Sequence, residues 1–278
     1  MAVQPDVLHD GVPAWLVGSL IDWLRPRCYS EVIGWGSEPN PERIRELERR
    51  LHLNLGQATP DLLLDDLLEH LTNDEDRLLR AIGVALGWYG PADYITIEAE
   101  RDLAELENAF RQSGSAWQVA YSSTRGWGLE RRVDETTAEA ARVVMSTGGR
   151  ASDHLAEAWR HLYARDPSPG EAYAEAVKAV EAAAIPVVCP NDSSATLGKI
   201  IGQLRAALDG WALALEPHDA DSIGHLCSML DLLWRSQRRH GTPDPATPLR
   251  VSPGEAEPAV YLAITLVHWF TSGAVQRV

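Results

Sequence analysis

Arg235 and His240 are the residues of this chain whose types best suit chemistry on a phosphodiester. Cleaving RNA without a metal takes three groups. One removes the proton of a ribose 2′-hydroxyl, one protonates the departing 5′-oxygen, and a cation stands beside the phosphorus as negative charge builds there. Histidine titrates near neutrality and serves as base or acid, and the arginine fork carries a permanent charge matched to phosphate oxygens. Arg238 and Arg239 add two more cations between the pair. The spacing itself is not informative: 23 arginines and 9 histidines among 278 residues give by chance roughly 0.7 pairs at any one separation. Cations also gather at helix C-termini for a plainer reason, attraction to the macrodipole. Any claim for these side chains therefore depends on the elements that carry them.

The carrier is the stretch from Asp221 to Gly241, DSIGHLCSMLDLLWRSQRRHG. Ile223, Leu226, Leu230, Leu233 and Trp234 recur at the three-four spacing that turns one helix face to a core, and Gly241 and Pro243 supply stop signals. Five residues subtend about 140° on an ideal helix, so Arg235 and His240 diverge unless the helix ends at His240, which Gly241 permits. A Pro-rich loop follows, then a second apolar helical pattern from Glu255 to Phe270.

Arg, four residues, then His at the end of such a helix resembles the signature of the HEPN superfamily of ribonucleases, in its abortive-infection C-terminal type. AYAEAVKAVEAAAIPVV (Ala172 to Val188) and TLGKIIGQL (Thr196 to Leu204) are similar to that family's first two helices, including the acidic Glu181. The resemblance covers Asp166 to Val278. It departs after the arginine, where many members carry Asn or Asp and this chain has Ser236. It implies a C-terminal HEPN-like helical bundle and a homodimer through the Asp221 to His240 helix. In that dimer Arg235 and His240 from two copies would build one site. Ser236 would orient the arginine or contact the phosphate, Glu181 would support the site, and Arg238 and Arg239 would hold RNA. The implied activity is metal-independent endoribonuclease chemistry without cofactor, in a toxin or phage-defence effector. The competing reading is a helical module that only dimerises or senses a partner.

Composition bounds these readings. The formal net charge is −15, from 40 acidic and 25 basic residues, so extended DNA or RNA binding through many phosphate contacts is disfavoured and any contact must be local. Cys28, Cys189 and Cys227 form no CxxC pair, which points away from a disulfide framework and toward a reducing cytoplasm. The apolar run from Val12 to Leu24 is broken by Asp22 and is too short for a membrane span.

Upstream, the pattern predicts helices over Val12 to Trp23, Pro41 to Leu51, Asp61 to Leu71, Asp74 to Trp88 and Asp93 to Arg111. The first should stop at Pro26, and Gly34, Gly36, Pro39 and Pro41 mark a loop. A short extended run is expected at Tyr94 to Ile97. Period-two alternation at Trp117, Val119, Tyr121 and again at Leu129, Arg131, Val133 predicts a β-hairpin near residues 116 to 133. Its aromatic side chains suit either core packing or base stacking. Asp134 to Ser146 and Ala151 to Tyr163 read as further helices, and RDPSPG at Arg165 to Gly170 is the strongest punctuation. The expected division is a helical regulatory or targeting region over 1–165 and the HEPN-like domain over 166–278. Asp65, Asp66 and Glu69 read as a solvated helix face, and His154 and His161 lack zinc spacing. Neither set is expected to bind metal. The fold class is mainly α.

Overall fold

The computed structural model describes the backbone of residues 8–32, 36–122, 125–215, 220–240 and 251–278, and within these ranges all side chains but those of 31, 32, 220 and 235–240. It is mainly helical, with three two-stranded antiparallel sheets among the described residues. Two compact units divide the chain, Met1–Arg132 and Val133–Val278, and each has its own hydrophobic core.

The first unit holds α1 (Ala14–Arg27), β1 (Tyr29–Val32), β2 (Gly36–Pro39), α2 (Pro41–Arg50), α3 (Pro60–Thr72), α4 (Glu75–Leu86), α5 (Ile97–Gln112), β3 (Trp117–Ser122) and β4 (Gly126–Arg131). Side-chain caps explain where several helices start. Asn40 accepts the amides of Glu42 and Arg43, Asp74 that of Arg77 and Thr96 that of Ala99, each replacing an intrahelical partner the first turn lacks. The predicted hairpin is present, with Val119 opposite Leu129 and Tyr121 opposite Trp127.

Three expectations give way in this unit. Pro26 does not end α1, which continues to Arg27. Proline there removes one amide from the last turn, and the Arg27 guanidinium bonds the Trp23 carbonyl on the same turn. The expected loop after α1 contains the hairpin β1–β2, in which Tyr29 pairs with Pro39 at the end of the ladder. The extended run expected at Tyr94 to Ile97 is shorter: a 3-10 turn at Ala92–Tyr94 comes first, Ile95 and Thr96 are extended, and Thr96 caps α5.

The second unit holds α6 (Glu135–Met145), α7 (Arg150–Tyr163), α8 (Pro169–Val188), α9 (Leu197–Ala206), β5 (Trp211–Leu213), α10 (Ala220–His240), α11 (Pro253–Thr271) and β6 (Val275–Arg277). The long alanine-rich α8 is its axis. Ala172, Ala176, Ala179, Val180 and Ala184 are buried, and these small side chains let α7 and α11 pack closely against it. The punctuation at Arg165 to Gly170 therefore lies between α7 and α8, inside one core. Leu155, Ala158, Trp159 and Leu162 of α7 share that core with α8 to α11, so the change of unit comes at Val133 rather than at Asp166. Ser252 and Glu255 close a reciprocal cap at the start of α11, and the short sheet β5–β6 pairs the last strand with the segment before α10.

Candidate functional site

α10 is described without a break from Ala220 to His240, so Arg235 and His240 lie on one helix, and the expected stop signals Gly241 and Pro243 lie outside the described residues. Ile223, Leu226, Cys227, Leu230 and Leu233 are buried, whereas His225, Ser228 and Leu232 lie outward, Leu232 at 66% exposure. The side chains of Arg235, Ser236, Arg238, Arg239 and His240 lie outside the described residues.

Just upstream, three contacts fix the helix. The Tyr173 hydroxyl of α8 donates to the Leu233 carbonyl at 2.7 Å, in a buried setting. Asp231, a buried carboxylate, takes the Arg205 guanidinium of α9 at 3.2 Å. The Trp234 indole covers Gly198 of α9: a Cβ built at Gly198 would stand 2.8 Å from Trp234 Cη2, closer than side chains tolerate. Arg205 lies near the end of α9 and Gly198 in its first turn, so α10 runs antiparallel to α9 and its last turns lie toward the N-terminal end of α9.

Glu181 is at that same end. Its Oε1 accepts the Leu197 amide at 2.7 Å, capping α9 where Thr196 makes no side-chain cap. Burial raises its pKa, and the Leu197 amide, His154 and Lys178 oppose that rise. Of the residues singled out by sequence, the structure brings Glu181 to the helix start that Trp234 overlies, one residue from Arg235. What its described contact performs is capping.

Sequence reasoning missed a second polar group in this unit. His154 Nδ1 of α7 meets Glu175 Oε2 of α8 at 2.6 Å, and the Lys178 ammonium donates to Glu175 Oε1 at 2.6 Å. Burial pushes the Glu175 carboxyl up, but the hydrogen bonds from Lys178 and His154 outweigh it and leave the group below its ordinary value. No spacing signal announces a pair 21 positions apart on different helices.

The remaining sequence candidates resolve into structure. The Trp117 indole donates to the Asp10 carbonyl and that of Trp127 to the Gly90 carbonyl, while Tyr121 packs on Trp127 with ring centroids 5.0 Å apart. All three share the hairpin face of buried Leu129; Trp117 and Trp127 pack on the first unit's core, whereas Tyr121 is exposed. A groove of about 880 Å³ along α2 is lined by Arg43, Arg45, Arg49, Glu42, Glu46 and Trp88 among others. Two of its arginines are engaged internally, Arg43 with the Arg27 and Tyr29 carbonyls and Arg45 with Glu48 and the Gly56 carbonyl. Among the described residues no group of three or more His, Cys, Asp or Glu side chains could hold a metal ion, and no helix is long and apolar enough to cross a membrane. Asp66 faces His70 at 3.7 Å on the exposed side of α3. Compared with models of protein families, with curated proteins and with solved structures, the chain matches none.

Proposed function

We propose that the second unit is a metal-independent endoribonuclease of HEPN type that works as a homodimer through α10, with Arg235 and His240 as its catalytic pair. The observation that carries this reading is the course of α10, which is unbroken through His240 and is tied to α8 and α9 within two residues of Arg235. One copy of the helix supplies one such histidine, so a separate acid and base on one phosphodiester call for two copies. A histidine of one copy takes the 2′-hydroxyl proton, and the 2′-oxygen attacks phosphorus. The bond to the 5′-oxygen breaks as the second histidine returns a proton, leaving a 2′,3′-cyclic phosphate and a 5′-hydroxyl. Arg235 stabilises the charge on the phosphoryl oxygens, and Ser236 positions it. Arg238 and Arg239 of both copies give an acidic molecule a local positive cleft. Glu181 supports the site indirectly, by capping the helix under Trp234. The first unit targets or regulates this activity, and defence by abortive infection is the biological setting that the resemblance implies.

The second reading, a dimerisation or sensing module without chemistry, is favoured by one feature: the outward side of α10 exposes Leu232, which suits a covered interface whether or not RNA is cut there. Sedimentation of the protein alone tests the interface, and incubation with RNA tests the chemistry. A dimer that leaves RNA intact selects the second reading.

A further inference from the structure

We infer that Tyr173 is a positioning residue for the catalytic end of α10, acting through the helix main chain; this rests on the ribonuclease reading above. Tyr173 is 5% exposed, and a buried phenol has to find a hydrogen-bond partner. It finds one in the Leu233 carbonyl at 2.7 Å, two residues before Arg235. In an α-helix that carbonyl already accepts the amide four residues on, so the phenol is not needed to complete the helix. A carbonyl has two lone pairs, and the second accepts a tie from a neighbouring helix. The tie comes from α8, the helix whose Glu181 also caps α9 beneath Trp234. Leu233 and Trp234 are thereby held from two sides, by α8 through the phenol and by α9 through Gly198. The turn that follows therefore begins from a fixed point. Acid–base chemistry needs such fixing, since displacement of a reacting group by about 1 Å can cost roughly 100-fold in rate.

The test is Tyr173→Phe in the full-length protein, which removes one oxygen and no packing volume. Ile200→Val serves as the control, because it removes one buried methyl group from α9 and no hydrogen-bonding group. Two quantities are read: steady-state cleavage of a short RNA, and site-resolved amide exchange along α10. Tyr173→Phe is expected to lower kcat about 10-fold with KM within two-fold of wild type, and to speed exchange over residues 235–240 relative to 223–230. Ile200→Val should change neither ratio. A Tyr173→Phe protein with unchanged kcat, or with a loss no larger than the control's, overturns the positioning role and leaves the ribonuclease reading in place. Exchange that quickens evenly along α10 also overturns it, since that is the mark of general destabilisation. Absence of cleavage by the wild type removes the ribonuclease reading, and with it a catalytic role for Tyr173, whatever the exchange shows.

Discussion

Gly198 shows how one residue can matter for what is not there. Its missing Cβ leaves room for the Trp234 indole, and Gly198→Ala puts a methyl group into that ring. Overpacking of this kind costs about 1–3 kcal/mol, so a lower Tm is expected, together with a loss of RNA cleavage greater than a surface substitution produces. Thermal melting and a cleavage assay on the same preparation check it. The glycine was legible in the sequence only as part of a Thr-Leu-Gly-Lys segment; the indole above it, 36 positions away, was not. Glu181 and Glu175, six positions apart on α8, make opposite electrostatic contributions. Glu175 is held below its ordinary value of 4.5, so its stabilisation is complete above that pH and is lost as pH falls through the folded value. Glu181 is raised above 4.5, so the folded state holds its proton more tightly, and stability declines as pH rises from 4.5 through the folded value. Glu175→Gln should therefore flatten the acid limb of the Tm profile. Glu181→Gln keeps an oxygen for the Leu197 amide and should gain on wild type as pH rises above 4.5. Two Tm profiles of the same shape would contradict both assignments.

At the scale of elements, most helices with three-four patterns were readable to within a residue or two, because burial of one face dictates the pattern, but α1 runs four residues past Trp23 and α5 starts four residues after Asp93. α7, expected over Ala151 to Tyr163, spans Arg150–Tyr163. The hairpin β3–β4 was readable for the same reason, its alternation reflecting one face on a core. The elements missed are those whose stability comes from elsewhere. β1–β2 has no apolar alternation and is clamped by the Asn40 amide on the Cys28 carbonyl at its base. β5 and β6 are three residues each and exist because distant segments meet. The α7–α8 contact is likewise invisible to local pattern, and it decides the extent of the second unit. Leu155 is fully buried on α7, so Leu155→Ala should cost about 2–5 kcal/mol. That loss should appear in the denaturation midpoint of the fragment 133–278 as well as in the whole chain.

At the scale of the molecule, the division at Val133 makes a firm statement about independence. The fragment 133–278 carries a complete core and should fold alone, whereas 166–278 lacks α6 and α7 and should not. Circular dichroism and cooperative melting of the two fragments distinguish them, and a folded 166–278 fragment would place the boundary back at the Pro-rich turn. Proline and serine in RDPSPG signal a turn, and nothing in a turn says whether the helices on either side share a core. The acidity of the whole chain, net −15, disfavours extended nucleic-acid binding, so the proposed reading needs a local RNA contact, which it assigns to the arginines near the end of α10. The central claim is that this end cuts RNA without metal, and the most direct measurement is cleavage of a defined RNA by purified full-length protein in EDTA, alongside His240→Ala and Arg235→Lys. The proposal predicts cleavage by wild type with 2′,3′-cyclic phosphate and 5′-hydroxyl ends, a loss of about 10²- to 10⁴-fold in His240→Ala, and a comparable collapse in Arg235→Lys, whose charge remains but whose planar fork is gone. Cleavage abolished by EDTA, or surviving in both variants, would contradict it.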